Sequence, residues 1–309
     1  MDQIRHDAAA TWPLVARFAA RERRLGEWAS RRRWTLVPYE FVRFGIKQAW
    51  ACLFGGAMVA LLLATHFWYP RDALVARYDV LFLAAIAIQI TMLATRLETV
   101  EEAKVIFAYH VVGTIMELFK TDVGSWTYPE ASVFRIGGVP LFSGFMYAAI
   151  GSYIARCWRL FDFRFENHPS LRSLSVLAIA VYANFYTHHI MPDMRIALFA
   201  ATAVLFHRTW IHYRIWRVHR RMPLLLGLFL VALFVWIAEN VGTLTATWIY
   251  PHQTHAWSLV KVAKLGSWFL LLIVSYALVA AVHGVRRARD GSPENSAATD
   301  GAPVPDFRA

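Results

Sequence analysis

Glu117-Leu118-Phe119-Lys120-Thr121-Asp122-Val123-Gly124-Ser125-Trp126-Thr127-Tyr128-Pro129 occurs, in outline, twice in this chain. Residues 239–251 read Glu239-Asn240-Val241-Gly242-Thr243-Leu244-Thr245-Ala246-Thr247-Trp248-Ile249-Tyr250-Pro251. Both copies fit Glu-x3-Thr-x4-Trp-x-Tyr-Pro and stand 122 residues apart. At the same offset of 122, Thr65-His66-x3-Pro70 matches Thr187-His188-x3-Pro192, and Gly144 matches Gly266. Rare residues recurring at equivalent places read as an internal duplication.

Composition says what is duplicated. The 309 residues are 58% hydrophobic and 15% aromatic, with a mean hydropathy of +0.39. Charged residues are 17%, below the roughly 25% of soluble domains. The apolar residues form eight runs, about 47–68, 78–95, 104–122, 139–158, 172–189, 194–209, 223–245 and 258–283. His207 and Arg208 interrupt the sixth. The fold expected is an all-α membrane protein with eight transmembrane helices, built as two parallel four-helix repeats (47–170 and 171–285). Four spans per repeat leave both copies in one orientation, related by a pseudo-twofold axis along the membrane normal.

The net charge of +11 lies between the apolar runs and at the ends, which argues for a membrane protein's inner face and against nucleic acid as a partner. Arg96 and Lys104 follow the second run; Arg156, Arg159, Arg164 and Arg172 the fourth; Arg208, Arg214, Arg217, Arg220 and Arg221 the sixth. The opposite loops are poorer in Lys and Arg, so both termini are expected in the cytoplasm of a bacterial inner-membrane, multi-pass protein. Residues 1–46 are basic and interleaved with Trp12, Trp28 and Trp34; an interfacial amphipathic helix and an unordered basic tail both fit. Residues 286–309 read as a disordered cytoplasmic tail. Cys52 and Cys157 give neither a disulfide framework nor metal spacing.

Glu117 sits about 20 Å from the Lys104 end of its segment, at 1.5 Å per residue, and Glu239 reaches a similar depth. A carboxyl at such depth is costly and marks a bundle interior or a cavity. Two readings stand. Glu117 and Glu239 form an acid–base pair on the pseudo-twofold axis, or each anchors its own Trp-x-Tyr-Pro loop. Trp126, Tyr128, Trp248 and Tyr250 line the same layer as binding residues, and Lys264 is the pairing partner for Glu239 while Lys261 snorkels. Asn184 stands inside a span as a cavity-lining residue. His110 lies seven residues before Glu117 on the same helix face and is a relay candidate. With the two carboxylates, His66 and His188 are the candidate metal ligands; HExxH-type pairs are absent, and no cofactor is evident. The inner halves of the spans offer chiefly His110 and Gln89 as polar residues.

A family resemblance rests on Phe44-Gly45-Ile46-Lys47-Gln48-Ala49, on Gly138-Val139-Pro140-Leu141-Phe142-Ser143-Gly144-Phe145-Met146-Tyr147, on Thr187-His188-His189, on Trp236-Ile237-Ala238-Glu239-Asn240 and on Tyr250-Pro251-His252-Gln253. Over roughly residues 38–285 the chain resembles the YoaT-like family of bacterial membrane proteins, domain of unknown function 817. That resemblance implies a multi-pass inner-membrane protein and brings no established activity. In the motif alone, a membrane-depth Glu before Trp-x-Tyr is similar to bacterial membrane carotenoid hydratases and cyclases. Three functions compete: an enzyme acting on a lipophilic, isoprenoid-type small molecule within membrane lipid; a transporter or proton-coupled carrier; and a non-catalytic scaffold.

Overall fold

The computed structural model describes residues 13–70 and 72–288. Most of the expected tail, from residue 289 on, lies outside them, as do residues 1–12. Ten α-helices run in order among the described residues. They are α1 (Pro13–Ala29), α2 (Arg33–Ala51), α3 (Leu53–Trp68), α4 (Arg77–Ala94) and α5 (Val100–Asp122). Then come α6 (Phe142–Phe161), α7 (Leu171–Thr187), α8 (Arg195–Phe206), α9 (Leu224–Leu244) and α10 (Ala263–His283). Each of the eight apolar runs overlaps one of the helices α3 to α10.

Three helices, α4, α9 and α10, are long and apolar enough to cross a membrane. A fourth span exists if α2 and α3, bent by 70° at their junction, count as one. α5 and α6 have the length, at 23 and 20 residues, but carry charges that they bury within the bundle. α7 has 17 residues and α8 only 12. The bend frees α2 from the line of α3, and α2 exposes Trp34, Val37, Phe41 and Ile46 along its length.

Local chemistry sets the helix ends. Thr99 and Glu102 close a reciprocal capping box at the start of α5. Ser170 caps α7 by accepting from the Ser173 N–H at 3.1 Å. Gly284, at φ +70°, takes the left-handed position after α10 that glycine tolerates best. The main core joins α5 to α10 through residues such as Tyr109, Ala155, Leu174, Leu228, Ile273 and Tyr276.

The all-α expectation needs one correction, because five short strands are present. β1 (Arg135–Ile136) and β2 (Val139–Pro140) form a small hairpin after the first motif. β3 (Arg164–Glu166), β4 (Trp210–Arg214) and β5 (His219–Pro223) make an antiparallel sheet in the order β3-β4-β5. Its arginines read as topological charges in the sequence; in the structure they flank a tight hairpin. Asp162 lies beside Arg164, Arg214, His219 and Arg286 at 3.3–3.8 Å. Lys47 donates to the Leu160 and Arg214 carbonyls at 2.9 and 2.7 Å, fastening α2 to this sheet. Because β4 and β5 pair Trp210 with Pro223, the end of α8 and the start of α9 lie level at the sheet end of the bundle.

Candidate functional site

The two motifs meet at the opposite end. Thr127 and Ile249 form an antiparallel bridge, donating to each other's carbonyls at 3.0 and 2.9 Å. These two residues occupy equivalent places in the two copies. The start of α4 clamps the pair. Arg77 binds Glu130 after the first motif, at 2.6 Å, and the Thr245 carbonyl in the second, at 3.2 Å. Tyr78 donates to the Thr247 carbonyl at 2.8 Å.

Each motif glutamate turns into this layer, and each is only 4% exposed. Glu117 accepts from Trp126 Nε1 and Tyr128 O–H, both at 2.7 Å, and from Tyr147 O–H of α6 at 2.7 Å. Glu239 accepts from the Tyr250 O–H and from Trp268 Nε1 of α10 at 2.6 Å. Each carboxylate thus takes its own loop's tyrosine and one donor from the helix that follows. Two buried carboxylates without such donors would cost several kcal/mol.

The copies are not identical in use. Trp126 bonds Glu117, but Trp248 lies flat over Gly242, where a Cβ would run into its ring. Trp268 takes the second donor's place. Trp126 also meets Tyr250 edge-on at 6.0 Å, and Tyr147 meets Trp268 at 6.2 Å. The result is a closed circuit: Glu117, Trp126, Tyr250, Glu239, Trp268, Tyr147 and back. Lys264 packs against it. Its ammonium lies 4.6 Å from the Tyr250 ring and 5.1 Å from the Trp126 ring. Lys261 is exposed.

The remaining sequence candidates lie around this circuit. His110 does not touch either carboxylate. Its ring packs on Phe145 at 4.5 Å and against Gly144, and its buried Nδ1 has no partner. Asn184 is buried but serves a loop, accepting from the Met194 N–H at 2.9 Å and donating to Asp193 at 3.4 Å. His66 is exposed at the end of α3, beside Phe67. His188 lies against His189, ring to ring at 4.1 Å, and the two imidazoles accept from Lys120 at 3.4 and 2.8 Å. No group of three or more His, Cys, Asp or Glu suited to a metal ion occurs among the described residues.

Burial and the neighbouring Lys120 hold the His189 imidazole below its ordinary value, which suits its accepting a hydrogen bond from the lysine. Burial raises the Asp193 carboxyl, but hydrogen bonds from Arg195 outweigh it and hold the group below the usual carboxylate range.

Sequence reasoning missed several partners. Tyr147 was within a quoted family run but had no periodic signal. Trp268 has no counterpart at the 122 offset, where Met146 stands. The bundle around the start of α5 is also more polar than expected. Glu98 accepts from Ser152 and Gln89, both at 2.5 Å. Arg156, fully buried, donates to the Leu97 carbonyl at 3.0 Å. Arg159 reaches Glu102 at 3.0 Å. Arg156, counted as a loop charge in the sequence, lies inside α6.

Taken together, apolar helices and a carboxylate-rich aromatic layer define a helical protein of membrane type. The DUF817 family, described as a protein of unknown function, matches residues 40–276. A relative from Bacillus subtilis (strain 168), "Uncharacterized protein YoaT", is 42% identical over 247 residues, 80% of this chain and 93% of the relative. The chain belongs to the DUF817 family. No solved structure matches it.

Proposed function

We propose that this is an eight-span protein of the bacterial inner (plasma) membrane, with both termini cytoplasmic, and that its outer-leaflet centre performs acid–base chemistry on a lipophilic, isoprenoid-type substrate. Two parallel four-helix repeats would generate the layer. The Thr127–Ile249 bridge supports this, because two equivalent residues exchanging both hydrogen bonds is what a twofold axis between the loops produces. The exposed apolar residues of α2 and its 70° bend suit a helix lying in the inner interface.

The observation that carries the chemical reading is the seat of Lys264. The Lys264 ammonium lies over two aromatic faces, in the layer that also holds both buried carboxylates. Such a seat stabilises a cation, whether ammonium or a developing carbocation. Glu117 and Glu239 supply negative charge, and the Tyr128, Tyr147 and Tyr250 hydroxyls link each carboxyl to a protonatable neighbour. A carboxylic acid in a dry site can then give a proton to an alkene and a carboxylate can take one away.

The test is a lipid comparison. Cells overproducing the wild-type chain should show an altered isoprenoid-lipid profile. Glu117→Gln and Glu239→Gln, made to equal folded levels, should reduce that change by about a hundredfold, the scale of a lost general acid or base. An unchanged profile with the wild-type chain, or full activity in both variants, defeats the proposal.

A proton-coupled carrier is the second reading, favoured by the buried Glu98, Ser152 and Arg156 with the half-buried Gln89 beside them. With Glu117 and His110 it places polar groups in both halves of the α5–α6 pair. Proton uptake by proteoliposomes, absent in the enzymatic reading, separates the two.

A further inference from the structure

α8 is too short for its place. Its 12 residues rise about 18 Å, while the 21 residues of α9 and of α10 rise about 32 Å. The end of α8 and the start of α9 lie level at the sheet end, so α8 leaves the far part of α9 and α10 uncovered. The gap is a cleft of about 790 Å³, within the roughly 300–1,000 Å³ of small-molecule sites. Ile196, Phe199, Phe229, Leu265 and Phe269 give it apolar walls. Its polar residues, Asp193, Arg195 and Ser267, gather at one end.

Several cations gather toward that end. Arg195, Lys264 and Lys120 lie near enough to repel one another. The Glu117 and Glu239 carboxylates face inward to their Tyr and Trp donors. Lys120 is buried, and its polar neighbours are the His188 and His189 imidazoles. Asp193 is the single carboxylate lining the cleft, and it engages Arg195 at 2.5 Å. Arg195 also reaches Ser267 Oγ at 3.4 Å, across the mouth from α8 to α10.

We propose that this cleft binds a lipophile with an anionic head group, its apolar tail against Phe199, Phe229 and Phe269 and its head at Arg195. The cations behind Arg195 supply the complementary field, and the cleft's apolar side opens where acyl chains would lie. This rests on the membrane reading above and narrows its substrate class. Ala263, Leu265, Gly266, Ser267 and Phe269 line the cleft, while Lys264 and Trp268 on the same turns of α10 face the carboxylate circuit. A ligand in the cleft therefore sits one helix face away from that circuit.

The test uses the full chain purified in detergent, with a spin-labelled stearic acid and its methyl ester as probes. The acid should bind about tenfold more tightly than the ester, the effect of one hydrogen bond to a charged group. Arg195→Gln should remove that preference while leaving ester binding unchanged. Ile196→Trp, which fills the cleft from an exposed position, should weaken both probes. Equal binding of acid and ester, or an acid preference that survives Arg195→Gln, overturns the anionic head group. Undiminished binding in Ile196→Trp, or no binding of either probe to the wild type, overturns the cleft as the site. None of these measurements involves Glu117 or Glu239, so their failure and an unchanged lipid profile are separate results.

Discussion

Glu117→Leu is expected to destabilise the protein by about 3 kcal/mol and Glu239→Leu by about 2, each lost buried partner costing roughly 1–3 kcal/mol before relaxation. The ranking follows from the donors left behind. Leucine at position 117 strands Trp126 Nε1, Tyr128 O–H and Tyr147 O–H. At position 239 only Tyr250 O–H and Trp268 Nε1 lose their acceptor. In lipid no water is present to replace the carboxylate. Lys264 loses one of two attracting charges in either case. Unfolding in mixed micelles with rising dodecyl sulfate measures both. Equal, negligible losses would mean that the two carboxylates do not hold the loops.

Gly113→Ala should cost at least as much, about 3 kcal/mol, at the upper end of overpacking effects. A Cβ at Gly113 would lie 2.6 Å from Tyr147 Cβ and 2.7 Å from its Cγ. Those atoms belong to the root of the side chain and cannot swing aside, so α5 and α6 must separate. Tyr147 would then draw away from Glu117, and the damage would reach the circuit. The variant should unfold earlier in the same micelle titration and should also lose lipid-altering activity. Wild-type stability would show that α5 and α6 are not in close contact there.

How far these features were legible depended on the kind of spacing involved. Glu117 with Tyr128, and Glu239 with Tyr250, repeat at one interval along a helix end and its loop, so the pairing was readable in outline. The loop-anchor reading of the glutamates has a counterpart in the structure, since each is bound by its own loop's tyrosine. Trp126 and Trp248 looked equivalent, but Gly242 stands where the first copy has Lys120, and its bare backbone draws Trp248 aside. Nothing in a repeat could reveal that Trp268 fills the vacancy, because that depends on how α10 packs.

Charges misled for a related reason. Arg156 reads as a loop charge in the sequence, whereas the fold buries it against the Leu97 carbonyl; Lys120 is likewise buried, against two imidazoles. Burial of a charge is decided by partners distant in sequence. The β4–β5 hairpin was hidden similarly, since its arginines carry a topological signal as strong as their strand alternation. The DUF817 membership was legible because it rests on contiguous runs, which need no tertiary knowledge.

The central claim is that the two copies of the motif meet face to face. It is tested most directly by a Thr127→Cys, Ile249→Cys pair in a chain with Cys52 and Cys157 replaced by serine. Residues exchanging both antiparallel hydrogen bonds have Cα atoms about 5.5 Å apart, inside the roughly 4.4–6.8 Å that a disulfide spans. The account predicts that the pair closes readily under mild oxidation, with neither single variant cross-linking. Two cysteines that both stay reactive to a thiol reagent after oxidation would contradict it.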